Sequence, residues 1–204
     1  MGITLRQFGQ MQDRLVNRRR TPQSVFEPSL TAISRPANGQ VILGLDPSLR
    51  GTGYGIIRLA KPFPRTLAHG TISCPAGWLR SRCLAKISQT LRDLLKTHKP
   101  ALCAVEGLFY AQNLQTALLM GEARGAALAA IAEAGLDIYE IAPRKVKQAV
   151  VGYGAAQKTA VAGMVQRLLH LPEPPAPDAA DALALALAYG HILGHFSFSP
   201  PKKL

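Results

Sequence analysis

Residues 41–57, VILGLDPSLRGTGYGII, decide how this chain folds. Val41, Ile42, Leu43 and Leu45 form a short, nearly continuous apolar run, long enough for a buried central strand and too short for a helix. The run ends on a carboxylate, Asp46, and Pro47 bars the strand from continuing. Gly51, Gly53 and Gly55 then alternate with Thr52 and Tyr54 and lead into Ile56 and Ile57. A dinucleotide-binding loop would open a helix after its glycines. Here β-formers follow, so the stretch predicts a hairpin that returns beside the first strand. A single aspartate after a strand is commonly a turn residue. An acid at the exposed end of a central strand, flanked by glycines that let a backbone or a phosphate come close, also calls for a search for partners.

Composition narrows the class. The chain has 204 residues, of which 48% are hydrophobic, enough for one good core. Its longest apolar stretches are broken well short of a membrane span, and the N-terminal region has no apolar run of the kind a secretory signal needs. Cys74, Cys83 and Cys103 are odd in number and form no CxxC pair, which predicts reduced thiols in a cytoplasmic protein and excludes a zinc or disulfide framework. A formal net charge of +12 points to a polyanionic partner such as nucleic acid, with colloidal stability as the plain alternative.

The chain divides into three parts. Residues 1–40 carry RRR at 18–20, three prolines and little periodicity, and predict a mostly disordered basic arm with at most a short helix over Leu5–Val16. Residues 41–195 form the domain. The last nine residues, FSFSPPKKL (196–204), read as a tail. Within the domain, Thr52–Leu59 and Thr66–Cys74 predict two further strands, and ALCAVEG (101–107) and Asp137–Ile141 two more. Leu84, Ile87, Leu91, Leu94 and Leu95 mark one face of a helix that Pro100 stops. Leu114–Ala134 predicts a long helix rich in small residues, suited to close packing in the core or to a subunit interface. A short basic helix starts at Pro143, an amphipathic one carries Val161, Met164, Val165, Leu168 and Leu169, and DAADALALALAYGH (178–191) forms the last. The order predicts an α/β domain with a mixed five-stranded sheet flanked by helices.

Four acids take corresponding places in this plan. Asp46 and Glu106 end two strands that can be neighbours, and Asp178 and Asp181, at i and i+3, share a helix face. Taken alone, the helix pair has an ordinary explanation: Asp178 after Pro177 as an N-cap and Asp181 as a first-turn acid that suits the macrodipole. That explanation leaves both strand-end acids unaccounted for. Metal-assisted phosphodiester hydrolysis accounts for all four, because two divalent cations roughly 3.5–4 Å apart across a scissile phosphate need several converging carboxylates. Hard oxygen ligands suit Mg²⁺ or Mn²⁺. Arg144, Lys145 and Lys147 cluster on the short basic helix, as a phosphate-binding ridge would. Phe109 and Tyr110 stand side by side before the polar AQN, a setting for exposed aromatics that stack on bases. His191 and His195 at the last helix end take no assigned role.

The stretches GLDPSLRGTGYGII, AVEGLFYAQN, ALLMGEARGAALAA, PRKVKQAVVGYGAAQKTAV and PDAADALALALAYGH, in this order and spacing, resemble the RuvC family of bacterial Holliday-junction resolvases. The resemblance spans roughly residues 41–191. It implies an RNase H-like fold, a homodimer, four-way junction DNA as substrate, the RuvA–RuvB branch-migration complex as partner, and Mg²⁺-dependent cutting of two like-oriented strands. By the same resemblance Asp46, Glu106, Asp178 and Asp181 bind two Mg²⁺ per subunit, with Mn²⁺ able to substitute. Phe109 matches an aromatic that stacks on a base near the junction centre, and Lys147 and Lys158 match lysines that act on the DNA, Lys158 nearer the scissile phosphate. The implied setting is the bacterial cytoplasm, at the nucleoid. Ser48, Gly107, Leu108 and the 40-residue extension depart from the family pattern and bear on turn geometry and sequence preference.

Three other readings meet specific obstacles. An actin-like ATP-binding domain also begins with an Asp-containing hairpin, but it needs a second glycine-rich phosphate loop that is not visible. RNase H-like RNA-processing nucleases of the YqgF type lack the RKVKQ, QKT and DAADALA stretches. A junction binder that does not cut has no use for a self-repelling set of acids beside DNA phosphate.

Overall fold

A computed structural model of the chain describes residues 38–107, 113–194 and 201–204. The Leu5–Val16 helix, the basic arm through residue 37, and Phe109 and Tyr110 all lie outside the described residues. The apolar run becomes β1 (Val41–Asp46), and the glycine-alternating stretch becomes β2 (Gly51–Arg58), paired antiparallel with it from Val41↔Arg58 to Asp46↔Gly53. β3 (Arg65–Ser73) adds to the outer side of β2. Helix α1 (Arg80–His98) then carries the chain across the sheet to β4 (Leu102–Glu106), which lies parallel to β1. Helix α2 (Leu114–Glu133) leads in the same way to β5 (Asp137–Ile141), parallel to β4. The short helices α3 (Pro143–Val151) and α4 (Lys158–Leu168) and the long α5 (Pro177–Gly194) follow.

Element ends follow local chemistry. Helix α1 closes on Lys99, whose left-handed backbone (φ 47°) donates its N–H to the Leu95 carbonyl before Pro100. Asn113 caps α2, its side chain accepting the Thr116 N–H at 2.7 Å. Pro177 is the first residue of α5, so Asp178 lies inside the first turn and is not the N-cap.

Among the described residues the sheet has six strands in the order β3-β2-β1-β4-β5-β6, one more than the sequence predicts. The sixth, β6 (Lys202–Lys203), comes from the end of the chain read as a tail, and it pairs with Tyr139 and Glu140 of β5. Lys203 Nζ reaches Asp137 at 2.8 Å, and the Leu204 N–H bonds the Ile138 carbonyl at 2.9 Å. The reason is backbone pairing: β5 would otherwise leave its edge N–H and C=O groups without partners, and a strand recruited through main-chain bonds needs no apolar pattern.

Alternation along the central strands sends side chains to two cores. Leu43, Leu45, Cys103 and Val105 face α1 and α2, while Ile42, Leu102, Ala104 and Ile141 face α3, α4 and α5. All three cysteines are free and buried. Helix α5 lies almost flat on β1 and β2, and its residues 182–188 are buried throughout. Two glycines permit this. A Cβ at Gly44 would overlap the Ala182 carbonyl, and one at Gly53 would overlap the Asp178 carbonyl. The hairpin glycines thus serve the approach of a helix backbone. We expect Gly44→Ala to push α5 off the sheet, at a cost of about 3 kcal/mol or roughly 10 °C in melting temperature, read by thermal unfolding. A variant that melts with wild type would show that α5 has room to move.

Candidate active site

The parallel strands β1, β4 and β5 end on one edge of the sheet, and Asp46 and Glu106 are the last residues of the first two. Both follow the alternation of the strand residues that face α5, so their carboxylates rise on the face over which α5 begins. That beginning holds Asp178 and Asp181, and a Cβ on Gly51 would come within 2.7 Å of Asp178 Oδ2. Lys158, the first residue of α4, places Nζ 2.7 Å from Asp181 Oδ2. The four predicted acids and Lys158 are therefore brought together from four elements, β1, β4, α4 and α5.

Burial and like charge perturb this group. Asp46 is pushed up to about 6, first by desolvation and then by Asp181, with Lys158 acting in the opposite direction. Glu106 is pushed up to about 7 by desolvation, with Asp46 and Asp181 adding to it. Their mutual interaction raises Glu106 further and slightly offsets the rise of Asp46. Lys158 is held above the usual lysine range by its bond to Asp181, against a smaller opposing effect of desolvation. Among the described residues, no three Cys, His, Asp or Glu side chains already form a finished metal cage. The donor set itself is all carboxylate oxygen with excess negative charge, which fits a hard divalent cation and does not suit a thiolate- or imidazole-seeking one.

The turn after Asp46 is tied down by side chains that the sequence reading passed over. Thr52 is fully buried; its Oγ1 donates to the Ser48 carbonyl at 2.6 Å and accepts the Ser48 N–H at 3.2 Å. Arg50 Nη1 donates to the carbonyls of Pro75 at 2.6 Å and Trp78 at 3.2 Å. The departure at Ser48 is accommodated through its backbone, and that at Gly107 by an N–H bond to the Ile141 carbonyl at 2.8 Å. Arg124 of α2 is also buried, bonded to the Glu106 carbonyl and to Glu140. The available signal was one arginine in an otherwise small and apolar stretch of helix, with one glutamate in the apolar strand DIYEI.

The basic ridge begins where β5 ends, on the same edge. Arg144 is exposed, and Lys145 and Lys147 are half-buried along α3. His191 Nδ1 lies 3.0 Å from the Ala149 carbonyl, a packing contact between α5 and α3. No helix among the described residues is long and apolar enough to cross a membrane.

Known proteins resemble this arrangement closely. The family model described as crossover junction endodeoxyribonuclease RuvC matches residues 42–189. The chain is 48% identical over 148 residues to the crossover junction endodeoxyribonuclease RuvC of Akkermansia muciniphila, covering 72% of this chain and 89% of that one. It is 46% identical over 150 residues to the protein of that description from Halorhodospira halophila, covering 74% and 89%. Among solved structures, RuvC of T. thermophilus in complex with Holliday junction substrate superposes with a TM-score of 0.74 at 32% identity, over 81% of this chain and 99% of that one. A yeast mitochondrial Holliday junction resolvase shares the fold, with a TM-score of 0.58 at 12% identity, over 79% of this chain and 82% of that one.

A pH dependence follows from the two raised acids. Because the folded state holds protons that the unfolded state has released, their presence lowers stability as pH rises from about 4 through 7. In chelator, Asp46→Asn removes one of these charges and should raise the melting temperature by several degrees at pH 8 and by little at pH 4. Thermal unfolding at both pH values measures this, and equal shifts would mean that Asp46 carries no charge penalty.

Proposed function

Because this chain belongs to the RuvC family of crossover junction endodeoxyribonucleases, we infer that it is a structure-selective endonuclease that resolves Holliday junctions in DNA recombination and repair, nicking two like-oriented strands. The observation that carries this reading is the convergence of Asp46, Glu106, Asp178 and Asp181 with Lys158 on the open edge of an RNase H-like sheet. The cations these four carboxylates would hold are two Mg²⁺ per subunit, Mn²⁺ substituting, which supply charge neutralisation at the phosphate and a water acidic enough to attack near neutral pH.

The chain's own groups have distinct tasks in this reading. The four acids, each partly buried, would hold and orient the bound centre. Lys158 neutralises part of their charge through Asp181 and has its ammonium beside the position a phosphate would take. Arg144, Lys145 and Lys147 contact flanking phosphates, which fixes the register of the DNA without reading its bases. Phe109, three residues after Glu106, offers a ring to a base unstacked at the crossover, with Tyr110 beside it.

A labelled mobile four-way junction, incubated with and without Mg²⁺, tests the reading. Wild type should bind the junction in chelator and nick it in Mg²⁺. Asp46→Asn or Glu106→Gln should lower the cleavage rate by about 10³-fold or more while leaving junction binding intact. Near-normal cleavage by Asp46→Asn would remove that residue from the site.

Paired nicking requires two centres, and a homodimer supplies them. Leu114, Leu118, Gly121 and Gly125 fall at i, i+4, i+7 and i+11 on the outer face of α2, and Leu114 is 76% exposed. A Cβ on Gly121 or Gly125 would meet nothing within 4 Å, which leaves that face open to a second copy. Gly125→Arg should shift the sedimenting species from dimer to monomer and turn paired cuts into single slow nicks. A dimer that persists in this variant would place the interface elsewhere.

A further inference from the structure

The guanidinium of Arg124 is among the few charged groups this fold buries, with only 6% of the residue exposed. Its fork has two ends. Nη1 donates to the backbone carbonyl of Glu106 at 2.5 Å, and Nη2 to Glu140 Oε2 at 2.6 Å. Helix α2 and the ends of β4 and β5 are thereby joined through one planar group.

The place of this bond matters. The ladder between β4 and β1 ends at Leu45↔Val105, so Glu106 lies one residue beyond the last pairing with the strand that carries Asp46. On the other side, the Gly107 N–H to the Ile141 carbonyl closes the pairing with β5. At the residue whose carboxylate joins Asp46, the main chain is therefore held by one strand and one arginine. An apolar pair could join α2 to β5 without the desolvation that a buried ion pair incurs. A lysine could answer Glu140, but its single ammonium lacks the planar fork that engages two acceptors in fixed directions.

We propose that Arg124, held by Glu140, is a positioning residue for the active centre: it fixes the backbone of Glu106 so that its carboxylate stays in register with Asp46. This rests on the resolvase reading above and adds a residue to its machinery. A misplacement of about 1 Å in such a centre costs on the order of 10²-fold in rate. Loss of the fork therefore reaches catalysis through Glu106, leaving the DNA-binding surface untouched.

The test uses the full chain and two variants. In the double variant Arg124→Met with Glu140→Met, the buried pair is replaced by apolar groups that can pack; in Arg124→Lys, the ion pair is kept and the fork is lost. Each is measured for melting temperature in chelator, for the rise in melting temperature on adding Mg²⁺, for junction affinity without metal, and for single-turnover cleavage of a four-way junction. Both variants should bind the junction within about 2-fold of wild type. They should cleave at least about 10-fold more slowly and need several-fold more Mg²⁺ to reach half of their thermal shift. Wild-type cleavage and Mg²⁺ response in either folded variant would overturn the proposal. Should the double variant unfold, Arg124→Lys decides by the same criteria. Should wild type itself fail to cut, the resolvase reading falls, and the Mg²⁺-dependent thermal shift still decides whether Arg124 positions the acids.

Discussion

The site depends on one steric fact: the backbone of α5 rests directly on the β1–β2 hairpin. Gly44 and Gly53 remove the side chains that would hold it away, and alanines from Ala179 to Ala188 keep the helix surface low. At ordinary helix-on-sheet separation, the first turn of α5 would stand several ångströms further out. Asp178 and Asp181 would then face solvent, and Asp46 and Glu106 would be an isolated pair. The glycines of the hairpin shape the candidate site, though they carry no chemistry.

Electrostatics sets a second constraint. A chain with a net charge of +12 gathers four of its 12 acids at one edge and partly buries them. Burial and mutual repulsion raise Asp46 and Glu106 well above the usual carboxylate range, so the folded protein bears a strain that only positive charge relieves. Lys158 provides some of that charge through Asp181. Phosphodiester substrates repel such a cluster, while the surrounding lysines and arginines attract them. Divalent cations held by the four acids would reconcile the two demands, and that requirement, more than any single distance, is what a nuclease reading of the site rests on.

Rigidity around the acids comes from bonds that cross between elements. Thr52 closes the turn after Asp46 on Ser48, Arg50 ties that turn to the chain entering α1, and Arg124 grips the end of β4. At the far edge of the sheet, the end of the chain returns as β6 to pair with β5. Apart from the local Thr52–Ser48 bond, these contacts link positions distant in sequence, and their loss would loosen the centre without touching an acid.

The amino-acid sequence by itself determined the elements and the acids. The apolar run ending in Asp46, the strand ending in Glu106 and the i, i+3 pair of Asp178 and Asp181 are local patterns, because side-chain period and turn chemistry are read within a few residues. The motif order also carried the family. Tertiary structure alone decided three things. Gly44 and Gly53 became a seat for α5, since close approach depends on what lies above a strand. Arg124 found Glu140 and the Glu106 carbonyl, since a buried charge is defined by partners that sequence spacing does not reveal. Lys202 and Lys203 became a strand although their side chains suggest a solvated tail, because pairing to an open sheet edge uses the backbone, which every residue shares.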